Sequence, residues 1–166
     1  MGVLSWITKR TKTEIINHLW LGDMHNLPEN KDMIINCSIE LAKKHFKPQK
    51  EKINKFNFYQ DGITTYATLP DRPMYRHIDK EFISKILQLM KNSLDMGKKV
   101  YMHCIYGVNR SASHVFMYCV KNNLIKGNNY KESRQEFLKI YPDFTPIFGW
   151  KKLLKKDYPY NNLTPE

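Results

Sequence analysis

One short stretch restricts what this chain can fold into. His103-Cys104-Ile105-Tyr106-Gly107-Val108-Asn109-Arg110-Ser111 reads H-C-x-x-G-x-x-R-S. The apolar run Val100-Tyr101-Met102 precedes it, and the helix-like run Ser113-His114-Val115-Phe116-Met117-Tyr118 comes after it. A thiol at a strand end, a tight loop and then a helix make an anion-binding cup, because loop and helix N-terminal N–H groups converge on one spot. Arg110 can add a bidentate fork for phosphate oxygens. The same positive field favours thiolate over thiol at Cys104. Gly107 permits the close backbone turn, and Ser111 is placed where its hydroxyl can reach the sulfur. A thiolate inside a phosphate cup is suited to nucleophilic attack on phosphorus. The other cysteines, Cys37 and Cys119, have Lys43 and Ile125 at the same spacing and form no such loop.

These residues resemble the cysteine-dependent protein tyrosine phosphatase superfamily, specifically its small dual-specificity branch. The resemblance implies a two-step mechanism through a cysteinyl-phosphate. It implies Cys104 as nucleophile, Arg110 as phosphate and transition-state ligand, and Ser111 as the group that helps the thiolate leave. His103 would hydrogen-bond around the loop and tune Cys104. Ile105, Tyr106, Gly107, Val108 and Asn109 would complete the substrate-binding loop with His103 and Arg110, and Tyr106 would help wall the pocket. The likeness runs from about Trp20 to Tyr158 and weakens toward the C-terminus. There the family often has Pro-Asn-x-x-Phe, whereas this chain reads Pro146-Ile147-Phe148-Gly149-Trp150, which leaves one loop-bracing contact unassigned. Gly-x-Asn-Arg-Ser is also typical of dual-specificity phosphatases carried by large DNA viruses such as baculoviruses and poxviruses.

A chain of 166 residues is long enough for one real core. Three Cys without regular spacing argue against a disulfide framework and against zinc. No metal or cofactor is called for, since the Cys–Arg cup replaces a metal clamp. A thiolate enzyme fits a reducing compartment, the cytoplasm or nucleus, in the viral case of an infected host cell. No apolar run reaches membrane-spanning length and no signal peptide is visible. Met1-Gly2-Val3-Leu4-Ser5-Trp6 approaches a myristoylation signal, but its hydroxyl falls one place early. The net charge is +11, from 27 basic and 16 acidic residues, which favours acidic partners such as phosphopeptides, nucleic acid or anionic surfaces.

Along the chain, residues 1–13 read as a basic arm, 14–158 as the phosphatase-like catalytic domain and 159–166 as a tail. Two short strands fall within 14–22, the second at Leu19–Gly22. Asp32–Cys37 reads as a buried parallel strand, and the polar stretch 43–55 as a surface loop broken by Pro48. Phe56–Tyr59 alternates like a strand, Asp61-Gly62 signals a turn, and Ile63–Leu69 reads as the next strand. Ile78, Phe82, Ile83, Ile86, Leu87, Met90 and Leu94 keep helical spacing, closed by Gly97. Lys98–His103 is the central strand, and Ser111–Leu124 a buried helix. Tyr130–Ile140 and Ile147–Lys156 are two further helices. The pattern predicts a single-domain α/β sandwich with a central, mostly parallel sheet flanked by helices.

An alkoxide or phenolate leaving group needs a proton, and two loop aspartates can give it. Asp61 sits in a turn, where turn chemistry alone accounts for it. Asp71 lies between a strand and the long helix, in the loop that carries the acid in the dual-specificity family, with Pro70 and Pro73 to stiffen it. Asp71 is the preferred acid. Phosphorylated proteins, on Tyr and on Ser/Thr, are the expected substrates. RNA 5′-triphosphatase or diphosphatase activity on the same Cys–Arg loop is the alternative, and the basic charge favours it. The loop carries no Lys, which argues against phosphoinositides. A non-catalytic phospho-binding module would normally lose Cys104 or Arg110. Cys37 ends a strand expected beside the central one, as a core residue or as a reserve thiol for oxidised Cys104; Cys119 reads as core.

Overall fold

The computed structural model describes residues 12–163. The basic arm expected over residues 1–13 lies, except for Lys12 and Thr13, outside the described residues, and Thr13 already opens the first strand.

Among the described residues six strands form one sheet: β1 (Thr13–Ile16), β2 (Leu19–Gly22), β3 (Met33–Ser38), β4 (Phe58–Asp61), β5 (Thr64–Leu69) and β6 (Val100–His103). Their order is β1-β2-β6-β3-β5-β4. The four inner strands run parallel, and β1 and β4 close the edges antiparallel. Every residue of β3 and β6 is buried. This is why both read as continuous apolar runs rather than alternating ones.

Among the described residues five α-helices accompany the sheet: α1 (Ile39–His45), α2 (Lys80–Asp95), α3 (Arg110–Lys121), α4 (Tyr130–Ile140) and α5 (Phe148–Lys156). None of the described helices is long and apolar enough to cross a membrane. Along β5 the side chains alternate between faces. Ala67 and Leu69 join the main core with Ile83, Met90, Phe116 and Trp150, whereas Tyr66 belongs to a small cluster with Ile39, Ala42 and Ile53. Helix α2 buries the expected stripe of Phe82, Ile83, Ile86, Leu87 and Met90, and Asp79 caps it by accepting from the Phe82 N–H at 3.0 Å.

Three expectations are corrected. Helix α1 occupies residues 39–42, which the sequence pattern left unassigned, and the first three residues of the expected surface loop 43–55. It has seven residues and two buried positions, Ile39 and Ala42, too few to register a period. What starts it is the Ser38 side chain, which accepts from the Leu41 N–H at 3.2 Å. The strand expected from Phe56 begins at Phe58, because Phe56 turns through φ 57°. The packed body also runs past Tyr158: Tyr160 and Leu163 are fully buried in the main core. The segment 159–163 is therefore core at its two apolar residues, not a tail.

The parallel registers bring three strands into line. Gly22 and His103, the last residues of β2 and β6, stand side by side with Asn36, two residues before the end of β3. One residue further along stand Cys104, directly after β6, and Cys37, still within β3, both in the main core cluster. The open edge of an α/β sheet at its strand C-termini is where such folds place their chemistry.

Candidate active site

The site begins where β6 ends. Cys104 comes directly after its last residue, the loop turns at Gly107, and α3 starts at Arg110. Gly107 takes φ +73°, and a Cβ there would meet the Gly22 carbonyl oxygen at 2.3 Å. Both the left-handed backbone and the close approach to β2 exclude any side chain. Surrounding groups then hold the loop from outside. The Tyr141 hydroxyl donates to the Gly107 carbonyl at 2.9 Å. The Thr145 N–H donates to the Val108 carbonyl at 2.9 Å, and the Met24 N–H to that of Ile105 at 3.2 Å. The His103 ring nitrogen Nδ1 lies 2.8 Å from the Cys104 carbonyl. Burial pushes the His103 pKa below its ordinary value, against the smaller upward pull of that carbonyl and of Asp23. A neutral imidazole donating to the carbonyl satisfies both facts.

Cys104 is 2% exposed, and the Ser111 hydroxyl donates to its Sγ at 3.2 Å. Arg110 is equally buried. Its Nη1 donates to the Leu69 carbonyl at 2.8 Å and to Glu40 Oε2 at 2.6 Å. Its Nε has no hydrogen-bond partner, with Asp71 Oδ1 at 3.4 Å. Burial disfavours the Arg110 charge, but Cys104, Glu40 and Asp71 together outweigh it and hold the guanidinium firmly protonated. A buried cation with one donor edge unbonded, beside a buried sulfur, is what an incoming oxyanion requires.

Glu40 carries no catalytic signature in the sequence. It stands in the first turn of α1, where Ser38 Oγ donates to the same Oε2 at 2.7 Å. Burial pushes its pKa up, but the Arg110 bond and charge and the Ser38 hydroxyl overcome this, so the net shift is downward. The signal that could have found it is Ser38 with an acidic residue just past a buried strand, a helix-start pattern.

The two candidate acids are separated by the topology. Asp61 pairs with Thr64 at the start of β5, on the outermost strand, and its carboxylate lies 2.6 Å from His45 Nε2. That is the opposite end of the parallel strands from Cys104. Asp71 lies just past the end of β5 and faces the cup. Asn109 Nδ2 donates to the Asp71 carbonyl at 2.9 Å and to its Oδ1 at 3.1 Å. The loop carrying Asp71 is seated on α5: Trp150 Nε1 donates to the Pro70 carbonyl at 3.0 Å, and the Gly149 N–H to the Pro73 carbonyl at 2.9 Å. A Cβ at Gly149 would meet that Pro73 oxygen at 2.3 Å, so the seat depends on its absence. Asn109 also accepts the Ile147 N–H at 3.0 Å. This supplies main-chain bracing where the Pro-Asn pattern is lacking. Asn109 thus enters the substrate loop with its side chain turned to the acid loop rather than into the cup. Tyr106 is 61% exposed and stands at the rim.

Cys37 is completely buried, and burial together with the neighbouring Cys104 pushes its thiol pKa well up. Cys119 is buried in α3, and its thiol is pushed up to about 12 by burial alone.

Comparison with known proteins bears on this geometry. No family model matches the chain. Protein phosphatase Slingshot homolog 2 from Homo sapiens is 28% identical over 142 residues, which is 80% of this chain and 9% of that protein. The chain therefore spans only a small part of that relative. A putative tyrosine-protein phosphatase, AMV078, of Amsacta moorei entomopoxvirus is 26% identical over 125 residues, 74% of this chain and 72% of the viral one. Over about three quarters of its length the chain is thus similar to proteins named as protein and tyrosine-protein phosphatases. Among solved structures, the human tyrosine phosphatase-like serine/threonine/tyrosine-interacting protein superposes with a TM-score of 0.65 at 22% identity, over 94% of this chain and all of the other. That likeness confirms the dual-specificity-phosphatase fold.

Proposed function

We propose that this dual-specificity phosphatase homologue hydrolyses phosphotyrosine and phosphoserine or phosphothreonine in proteins through a phosphocysteine at Cys104. The observation that carries the reading is the convergence of three groups: the Cys104 sulfur held by Ser111, the buried Arg110 with its Nε unbonded, and Asp71 at 3.4 Å from that Nε.

The chemistry is set by those positions. The phosphoryl oxygens enter the loop and take the free edge of Arg110, displacing the contact with Asp71. The Cys104 thiolate attacks phosphorus while the ester P–O bond breaks, and Asp71 gives its proton to the departing oxygen. A water then attacks the phosphocysteine, the Asp71 carboxylate accepts its proton, and the S–P bond breaks. The Ser111 hydroxyl stabilises the returning thiolate. Arg110 holds the equatorial oxygens through both steps, where their charge is greatest. Glu40 and the Leu69 carbonyl aim the guanidinium. Thiolate chemistry at Cys104 belongs in a reducing compartment, the cytoplasm or nucleus.

The test is parallel turnover of a phosphotyrosine peptide, a phosphothreonine peptide and triphosphate-ended RNA by one preparation at physiological salt. Both peptides should be hydrolysed, phosphotyrosine faster because phenolate leaves more readily. A large advantage for RNA that survives Asp71→Asn would replace this reading.

A further inference from the structure

Beyond the cup, one surface combines features that the proposed chemistry does not use. A depression between the acid loop and α5 is lined by Arg72, Met74, Tyr75, Arg76, Phe148 and Lys152. It continues along α5 past Lys151, Lys155 and Lys156, with Phe148 and Lys152 common to both parts. The groove starts at the residue after Asp71.

Its charge is concentrated: Arg72 stands 3.8 Å from the Asp71 carboxylate, while Lys151, Lys152, Lys155 and Lys156 are all exposed along α5. The Tyr75 ring has the ammonium groups of Lys80, Lys152 and Lys156 within 4.8 to 5.6 Å of its centre. The acidic group there, Asp157, is 7% exposed, bridged to Lys80 at 3.0 Å and bonded by the Tyr75 hydroxyl at 3.0 Å. It neutralises Lys80 from beneath and leaves the outer cations facing solvent. Like charges held this closely favour a bound anionic partner.

The groove also holds apolar surface that a monomer gains nothing by exposing. Met74 is 52% and Phe148 62% exposed. Phe148 also takes φ 52°, a left-handed backbone that a bulky residue adopts only at a cost. In that conformation the ring stands at the groove mouth, with Arg72 over it at 5.4 Å.

We propose that this groove docks an acidic peptide segment bearing an apolar side chain, lying beside the phosphorylated residue in the substrate protein. This rests on the phosphoprotein reading above and specifies which phosphoproteins fit. Carboxylates would meet Arg76 and the α5 lysines, and the apolar side chain would pack on Met74 and Phe148. Single-stranded RNA fits less well. It relies on aromatic faces for base stacking, and here cations already stand over Phe148 and Tyr75.

The experiment compares wild type with Lys151→Glu/Lys155→Glu and with Phe148→Ala. Fluorescence anisotropy reads binding of a labelled, unphosphorylated acidic peptide containing one leucine. Hydrolysis of p-nitrophenyl phosphate reports the cup alone. Charge reversal should weaken peptide binding on the order of tenfold, with less effect at high salt. Phe148→Ala should weaken the leucine peptide but not its glutamine counterpart. Both variants should turn over p-nitrophenyl phosphate like wild type. Peptide binding indifferent to the lysines, or tighter binding of an RNA of matched charge, would overturn the proposal. Wild type that binds the peptide but turns over no phosphate ester would sink the phosphatase reading while keeping the groove as an acidic-peptide surface.

Discussion

Asn109 ties the last loop residue of the cup to Asp71 through two hydrogen bonds, at 2.9 Å to its carbonyl and 3.1 Å to its carboxylate. One side chain therefore sets the distance between the thiol-bearing loop and the acid. Asn109→Ala should lower kcat by about 10–100-fold on alkyl phosphates, since small misplacement of a proton donor is costly. KM should change little. A leaving-group series checks this: the deficit should vanish for leaving groups that need no proton. An equal loss across the series would mean that the loop itself has collapsed.

Asp71→Asn should cost roughly 10²–10⁴ in kcat on the same substrates. Asp61→Asn should leave kcat unchanged, because its carboxylate is engaged by His45 at the far end of the sheet. Steady-state kinetics of the two variants side by side decides between them. If Asp61→Asn shows the large loss and Asp71→Asn does not, the assignment of the acid is reversed.

The cup loop and its flanks were legible because each part has a local signature. Val100–His103 is a buried strand, Gly107 marks the tight turn, and Arg110-Ser111 opens the helix. Helix α4, Tyr130–Ile140, was readable to the residue. Glu40, Trp150 and the direction of the Asn109 side chain were not. Each acts through a contact that only the tertiary approach of distant segments creates: Glu40 on Arg110, Trp150 on Pro70, Asn109 on Asp71. Tyr160 and Leu163 were hidden for a related reason. Two isolated apolar residues in a polar stretch carry no period, and what buries them is the core beneath.

His114 gives a pH dependence of stability. It is completely buried in α3, its Nδ1 donates to the Arg110 carbonyl at 2.7 Å, and its Nε2 has no partner. Burial, opposed by that carbonyl, pushes it down to about 4. An unfolded histidine titrates near ~6.5. Between these values the unfolded chain binds more protons, so stability rises with pH. The contribution is fully present above about pH 6.5 and is lost progressively toward pH 4, about 3 kcal/mol in all. Urea midpoints measured from pH 7.5 to 4.5 should fall more steeply for wild type than for His114→Gln, with His103 accounting for part of the remaining slope. Superimposable curves would contradict this.

Cys37, within β3, and Cys104, directly after β6, each stand one residue beyond the Asn36–His103 pair of these adjacent parallel strands, and both belong to the main core. Mild peroxide should inactivate the enzyme reversibly, through a sulfenic acid on Cys104 that Cys37 captures as a disulfide. Peptide mapping of the inactivated protein should recover a Cys37–Cys104 cross-link, and Cys37→Ala should inactivate irreversibly. Reversible inactivation of wild type without that cross-link would make Cys37 a core residue only.

The central claim is that phosphate passes through the Cys104 sulfur. It is tested most directly by acid quenching during turnover of a phosphotyrosine peptide, with mass spectrometry of the protein afterwards. The account predicts a phosphate adduct on the Cys104 peptide of the wild type, enriched in Asp71→Asn with a substrate whose leaving group needs no proton, and absent from Cys104→Ser. Turnover by Cys104→Ser within about tenfold of wild type, or an adduct on any other residue, would contradict it.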